Sequence, residues 1–147
     1  LSAMRESSAV RVVVTAAIVG LARNAGADTP GKGPEDRDRQ RVEQLLALVG
    51  THFQEHRPVN FYASRIGVSP THLNRMARAH TGLSVQGLVA RQLIEAARRD
   101  LIFSPSPVQA IAYSLGFSDP AYFNRFFRRM TGTTPGAFRL AERERLA

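Results

Sequence analysis

Cysteine is absent from this chain, so disulfides and thiolate metal sites are excluded and only histidine and carboxylates remain as metal ligands. Acids are scarce beside bases, 12 against 20, for a net charge of +8. Lysine is nearly missing, since nineteen of the twenty cations are arginine. The planar arginine fork suits bidentate contacts to phosphate and guanine, although a GC-rich genome gives the same bias. The apolar run from Val10 to Leu21 is too short to cross a bilayer, which takes roughly 20 residues, and Arg11 sits inside it. A glycine-rich phosphate loop, a nucleophile elbow and a paired-carboxylate pocket are all lacking, so the chain reads as no enzyme and as holding no cofactor. His52 and His56 lie four apart, a metal-ligand spacing, but no third ligand accompanies them. Solvent-exposed histidines are the simpler reading, and His72 and His80 also read as surface residues.

What the chain does have is an internal repeat. SPTHLNRMARAHTGLSVQGL, from Ser69 to Leu88, returns fifty positions later as PAYFNRFFRRMTGTTPGAF, from Pro120 to Phe138. Pro70/Pro120, Asn74/Asn124, Arg75/Arg125, Arg78/Arg128, Thr81/Thr131 and Gly82/Gly132 coincide. Upstream, Ala63, Ile66, Gly67 and Ser69 match Ala112, Leu115, Gly116 and Ser118 at a shift of forty-nine. The second copy therefore carries one extra turn residue. Each copy reads as a short helix stopped by Gly, a tight turn, a second helix opened by Ser-Pro or Asp-Pro, and another Gly stop. That is the sequence form of a helix-turn-helix.

A length of 147 residues favours one domain plus an appendage. Residues 1–27 read as an N-terminal helical segment, the remnant of an effector or dimerisation domain; the chain opens at Leu1, ahead of its first Met, as a fragment does. A secretory leader is the rival reading, because Ala25-Gly26-Ala27 resembles a cleavage site, but Glu6 is a poor guest in one. Residues 28–38, with two Pro and two Gly in ADTPGKGPEDRD and no apolar period, read as a flexible linker. The DNA-binding domain is expected over 39–143. Arg39 to Glu55 forms its first amphipathic helix, with Val42, Leu45, Leu46, Val49 and Phe53 buried. The first helix-turn-helix occupies about 58–82, a long linker helix capped by Ser84 about 84–103, and the second helix-turn-helix, opened by Ser106-Pro107, about 107–132. Thr134-Pro135 begins a seventh helix. The fold class is all-α.

The reading helix of a helix-turn-helix must be apolar on one face and hydrogen-bonding on the other, since its N-terminal residues meet base edges in the major groove. In the first copy Leu73, Met76 and Ala77 bury and Thr71, Asn74, Arg75 and Arg78 project. In the second Phe123, Phe126, Phe127 and Met130 bury and Ala121, Asn124, Arg125 and Arg128 project. Arg suits guanine, Asn suits adenine, and Thr offers a hydroxyl or methyl. Arg78 and Arg128, a turn further along, suit phosphate; Arg129 is assigned there as well, with solvent as its alternative. Ser84, opening the linker helix, can present its amide to a phosphate. Phe117 and Tyr122 join the three phenylalanines as core, not as a stacking platform for single strands. The linker helix spans about 28–30 Å, near the roughly 34 Å between successive major-groove faces, and so can hold two reading heads one turn apart. The expected partner is double-stranded promoter DNA. A protein-interaction module that sequesters a polymerase subunit or another regulator is the alternative, and salt dependence of DNA binding separates the two.

With these motifs in place, the stretch from about Arg41 to Arg139 resembles the DNA-binding domain of the AraC/XylS family of bacterial transcription regulators. The strongest match runs Ile111-Ala112, Leu115-Gly116-Phe117-Ser118-Asp119-Pro120-Ala121-Tyr122-Phe123, Arg125-Phe126-Phe127, Thr131-Gly132, Pro135 and Phe138-Arg139. HRPVNFYASRIGVSPTHLNR is similar to the branch that senses aromatic acids. The resemblance implies a seven-helix domain, contact with RNA polymerase and cytoplasmic location. It implies an aromatic-acid effector only where a cupin-like domain accompanies the chain. Family contact positions fall on Thr71, Asn74 and Arg75 in the first head and on Pro120, Ala121, Asn124 and Arg125 in the second. Pro120 and Ala121 lack a polar side chain, so Asn74 and Arg75 are expected to carry more of the discrimination.

Overall fold

The computed structural model describes residues 33–147, and the readings for 1–27 and the start of the linker lie outside them. Helix α1 runs Pro34–His52, five residues ahead of the expected start at Arg39 and inside the stretch read as linker. The Pro and Gly content concealed a start signal. Gly33 stands at the N-cap, Pro34 in the first turn, and Glu35 and Asp36 place negative charge there, where the helix dipole favours it. Val42, Leu45 and Val49 are buried on one stripe. Leu46, expected beside them, is 36% exposed on the edge of that stripe. Phe53 falls outside α1, in a single 3₁₀ turn over Phe53–Glu55 that ends at His56 in the left-handed region, φ 53°.

Six more helices follow: α2 Val59–Ile66, α3 Pro70–Thr81, α4 Val85–Phe103, α5 Val108–Ser114, α6 Pro120–Thr131 and α7 Pro135–Leu146. There is no strand among the described residues, and the all-α expectation holds. The turns between α2 and α3 and between α5 and α6 share one device. Gly67 and Gly116 both adopt φ 86°, and the next amide, Val68 or Phe117, donates back to the carbonyl of Ala63 or Ala112, the six-residue bond that closes a helix around a left-handed residue. Gly67 is two residues before the cap Ser69, whereas Gly116 is three before the cap Asp119, so the extra residue of the second copy lies in the turn. Ser69 Oγ accepts from His72 N at 3.1 Å; Asp119 Oδ1 accepts from Ala121 N at 3.0 Å. Each cap meets an amide that the helix start leaves without a backbone partner. Ser106 does not cap α5. Pro107 holds that position with no side-chain bond, and the Ser106 amide instead donates to Ser104 Oγ at 3.0 Å.

The other end of each reading helix is closed by a threonine. Thr81 Oγ1 donates to Ala77 O at 2.6 Å and accepts from Leu83 N at 3.1 Å; Thr131 Oγ1 donates to Phe127 O at 2.8 Å and accepts from Thr133 N at 3.3 Å. A hydroxyl has one hydrogen and two lone pairs, so both bonds form together. They carry the chain through Gly82, φ 80°, and Gly132, φ 85°. The next caps also correspond: Ser84 Oγ accepts from Gly87 N at 3.1 Å and Thr134 Oγ1 from Ala137 N at 3.2 Å.

The described residues divide into two compact units, 33–90 and Arg91–Ala147, with the division inside α4. In the first, α1, α2 and α3 pack on one another and bury Leu45, Tyr62, Leu73 and Ala77 to 1% exposure or less. In the second, α6 packs on α5 and α7, and Leu101, Leu115, Phe123 and Phe127 reach 0% exposure. The α4 residues expected on its buried side, Leu88, Leu93, Ala96, Ala97 and Leu101, are all buried. Arg139 closes the C-terminal end of α4: its Nε donates to Leu101 O at 3.0 Å and its Nη2 to Ser104 O at 3.2 Å. Partial burial lowers the Arg139 pKa from its usual value, and the neighbouring Arg143 charge adds to that.

Candidate nucleic-acid interface

On α3 the exposed face carries Thr71, Arg75 and Arg78, while Leu73, Met76 and Ala77 are buried. On α6 Ala121, Asn124, Arg125, Arg128 and Arg129 are exposed over buried Phe123, Phe126 and Phe127, and Pro120 is half-buried at the helix start. The expected division into apolar and hydrogen-bonding faces is therefore present on both helices. Two residues depart from it. Met130 is 45% exposed and Tyr122 47%, because the buried stripe of Phe123 and Phe127 continues to the half-buried Thr131, leaving Met130 one position to the side. Tyr122 does meet the core at its edge, with its ring centroid 5.8 Å from that of Phe117. Its ring also faces the Arg125 guanidinium at 6.0 Å, and that of Arg129 lies 5.9 Å from the Phe126 ring. Each cation thus lies over an aromatic ring of its own helix.

The two asparagines diverge. Asn74 is half-buried, and its Oδ1 accepts from the amide of Val85, the first residue of α4, at 3.0 Å. A bidentate grip on adenine uses the amide oxygen as well as the nitrogen, and the oxygen of Asn74 is already engaged by the Val85 amide. Asn124 is exposed, and its Nδ2 donates to Pro120 O of its own helix at 3.1 Å. The residue corresponding to Val85 is Pro135, which has no N–H to give. The same contact bears on Ser84. At the start of α4 the Val85 amide meets Asn74 and the Gly87 amide meets the Ser84 hydroxyl. Two of the donors that a phosphate could have taken there already have partners.

His52 is not the solvent-exposed histidine expected from its spacing. Its Nδ1 lies 2.6 Å from Glu55 Oε2, and its ring meets Phe61 edge-on at 4.9 Å between centroids. Arg57 and Arg65 stand over the same Phe61 ring at 4.8 and 4.3 Å, and Arg57 Nε pairs with Glu55 Oε1 at 2.9 Å. Sequence reading missed this cluster, although the i, i+4 spacing of Phe61 and Arg65 was visible in it. No group of three metal-ligating side chains occurs among the described residues, and none of their helices is long and apolar enough to cross a membrane.

A family model described as "Helix-turn-helix domain" matches residues 62–141. The DNA-binding domain of AdpA, a global transcriptional factor solved in complex with a target DNA, is 31% identical; the match covers 69% of this chain and 96% of that one, with a TM-score of 0.60. The chain belongs to the AraC/XylS helix-turn-helix family. The C-terminal domain of AraT, a response regulator from Geobacillus stearothermophilus, superimposes with a TM-score of 0.66 at 25% identity, covering 69% of this chain and 84% of that one. Among curated relatives, the transcriptional regulator GlxA of Rhizobium meliloti is 42% identical over half of the chain and 22% of its own length. The transcriptional activator RhaS of Escherichia fergusonii is 35% identical over 74% of the chain and 38% of its own length. The AraC/XylS-type chain thus spans between about a fifth and two-fifths of these two relatives, both named as regulators of transcription.

Proposed function

We propose that this chain is a sequence-specific, double-stranded-DNA-binding transcription regulator that sets α3 and α6 into major-groove segments of a promoter. The observation that carries the reading is the exposure, on both helices, of an arginine pair at corresponding positions, Arg75 with Arg78 and Arg125 with Arg128, above a buried apolar face. Arg75 and Arg125, near the middle of each helix, read bases with Thr71 and Asn124; Arg78, Arg128 and Arg129 hold phosphates. Pro120 and Ala121 bring backbone and shape to the second head where a polar side chain is lacking. The Ser84 amide remains assigned to phosphate. The AdpA complex with its target DNA supports the same class of partner for this chain.

The test is selection from random duplexes at moderate salt, with binding then measured across salt. A bipartite consensus, its halves roughly 10 bp apart, and an affinity falling steeply with salt are expected. Failure to enrich any sequence overturns the reading. RNA polymerase as a second partner, an aromatic-acid effector and cytoplasmic action rest on the family resemblance. Cross-linking to polymerase on a bound promoter tests the first of these.

A further inference from the structure

We propose that the two asparagines of the repeat have parted in role: Asn74 is a positioning residue that caps α4, and Asn124 is the one that reads a base. This rests on the DNA-binding reading above and reverses the expectation that Asn74 carries more of the discrimination.

Helix α4 begins at Val85, whose amide has no partner within its own helix. Asn74 Oδ1, eleven residues back, meets it at 3.0 Å in a half-buried position. Turning Asn74 out to a base edge would leave that amide stranded away from water, a cost borne at every sequence the protein meets. The bond also joins the reading helix α3 to the start of α4, and so fixes where α3 points. In the second copy the corresponding residue is Pro135, fully buried like Val85 but without an N–H. Asn124 therefore has nothing to cap. Its Nδ2 reaches the Pro120 carbonyl at 3.1 Å on an exposed face, and that carbonyl already takes the Asn124 backbone N–H in the regular helix pattern. Breaking the side-chain bond strands no backbone group. Asn124 is free to swing both its amide oxygen and its amide nitrogen onto a base that offers a donor and an acceptor side by side, the pattern of adenine in the major groove.

The experiment uses the full 147-residue chain, thermal melts, and binding to its selected duplex with every single-base variant. Asn124→Ala should flatten the preference at one base position by roughly tenfold and leave the melting temperature in place. Asn74→Ala should lower the melting temperature by roughly 4–8 °C and leave the pattern of base preferences unchanged. Asn74→Asp keeps the accepting oxygen but loses the donor, so it should hold the melting temperature that Asn74→Ala loses. Val85→Pro imitates the second copy at a position where proline is accepted. In that background Asn74→Ala should no longer lower the melting temperature. The proposal is overturned if Asn74→Ala erases a base preference without a thermal shift, or if Asn124→Ala weakens all duplexes alike. A parent chain that enriches no sequence removes the DNA reading and the Asn124 half with it, while the thermal cycle of Asn74 with Val85 still decides the capping half.

Discussion

The first copy of the repeat fills its reading helix with Leu73, Met76 and Ala77; the second puts Phe123, Phe126 and Phe127 at the same places. Around these different fillings the frame hardly changes. Left-handed Gly67 and Gly116, the Thr81 and Thr131 locks and the cap hydroxyls of Ser84 and Thr134 repeat almost bond for bond. Turn and cap chemistry answers to backbone groups within a few residues, which are the same in both copies. Core side chains answer to the volume left by neighbouring helices, which differs.

The comparison is broken most forcefully in the cores. Phe127→Ala should cost about 3–5 kcal/mol, because a fully buried ring leaves a cavity. Ala77→Gly, at the matching position, should cost only about 1 kcal/mol, mostly helix propensity. Denaturant unfolding measures both, and a Phe127→Ala loss of about 1 kcal/mol or less would show that the second core does not depend on its aromatics.

On the outer faces the copies should behave alike at their arginines. Arg75→Ala and Arg125→Ala are each expected to lose about 1–3 kcal/mol of DNA binding, concentrated at one or two base positions, while Arg78→Ala and Arg128→Ala weaken all duplexes and reduce the salt slope by about 1. Uniform weakening by Arg75→Ala would reassign that residue to phosphate. The shared frame gives a smaller, matched effect. Thr81→Val and Thr131→Val each remove the bonds at a helix end and should cost about 1 kcal/mol apiece, and clearly unequal losses in denaturant would show that the locks only look alike.

The smallest effect belongs to the first unit. Glu55 has its pKa lowered by its hydrogen bond to His52 and then by that to Arg57. A carboxylate with a depressed folded-state pKa adds stability above its unfolded pKa and loses it as pH falls through the folded value. Glu55→Gln should therefore melt slightly below the parent at neutral pH and alongside it in acid. The gap is small because the pair is exposed. An equal gap at both pH values would mean that charge is not its cause.

Much of this arrangement was legible. Apolar spacing on α3 and α6, Ser-Pro and Asp-Pro openings and Gly stops located both reading helices to the residue. The start of α1 was less clear, since Pro34 is a linker residue by composition and a helix opener by position. Tyr122 and Met130 fit the period of a buried stripe but lie at its margins, and periodicity alone places no margin. Nor could it find Arg139 on the end of α4, whose partners Leu101 and Ser104 lie 38 and 35 residues away.

By itself, the sequence determined the duplicated helix-turn-helix, its caps and stops, and the basic outer faces, because each depends on groups a few residues apart. Only the tertiary structure decided which repeated residues still make the same contacts. Asn74 and Asn124 are identical in type and in local spacing. What separates them is an amide eleven residues further on, present in Val85 and lacking in Pro135, and its meaning appears only when the chain folds back to bring it within 3.0 Å of Asn74.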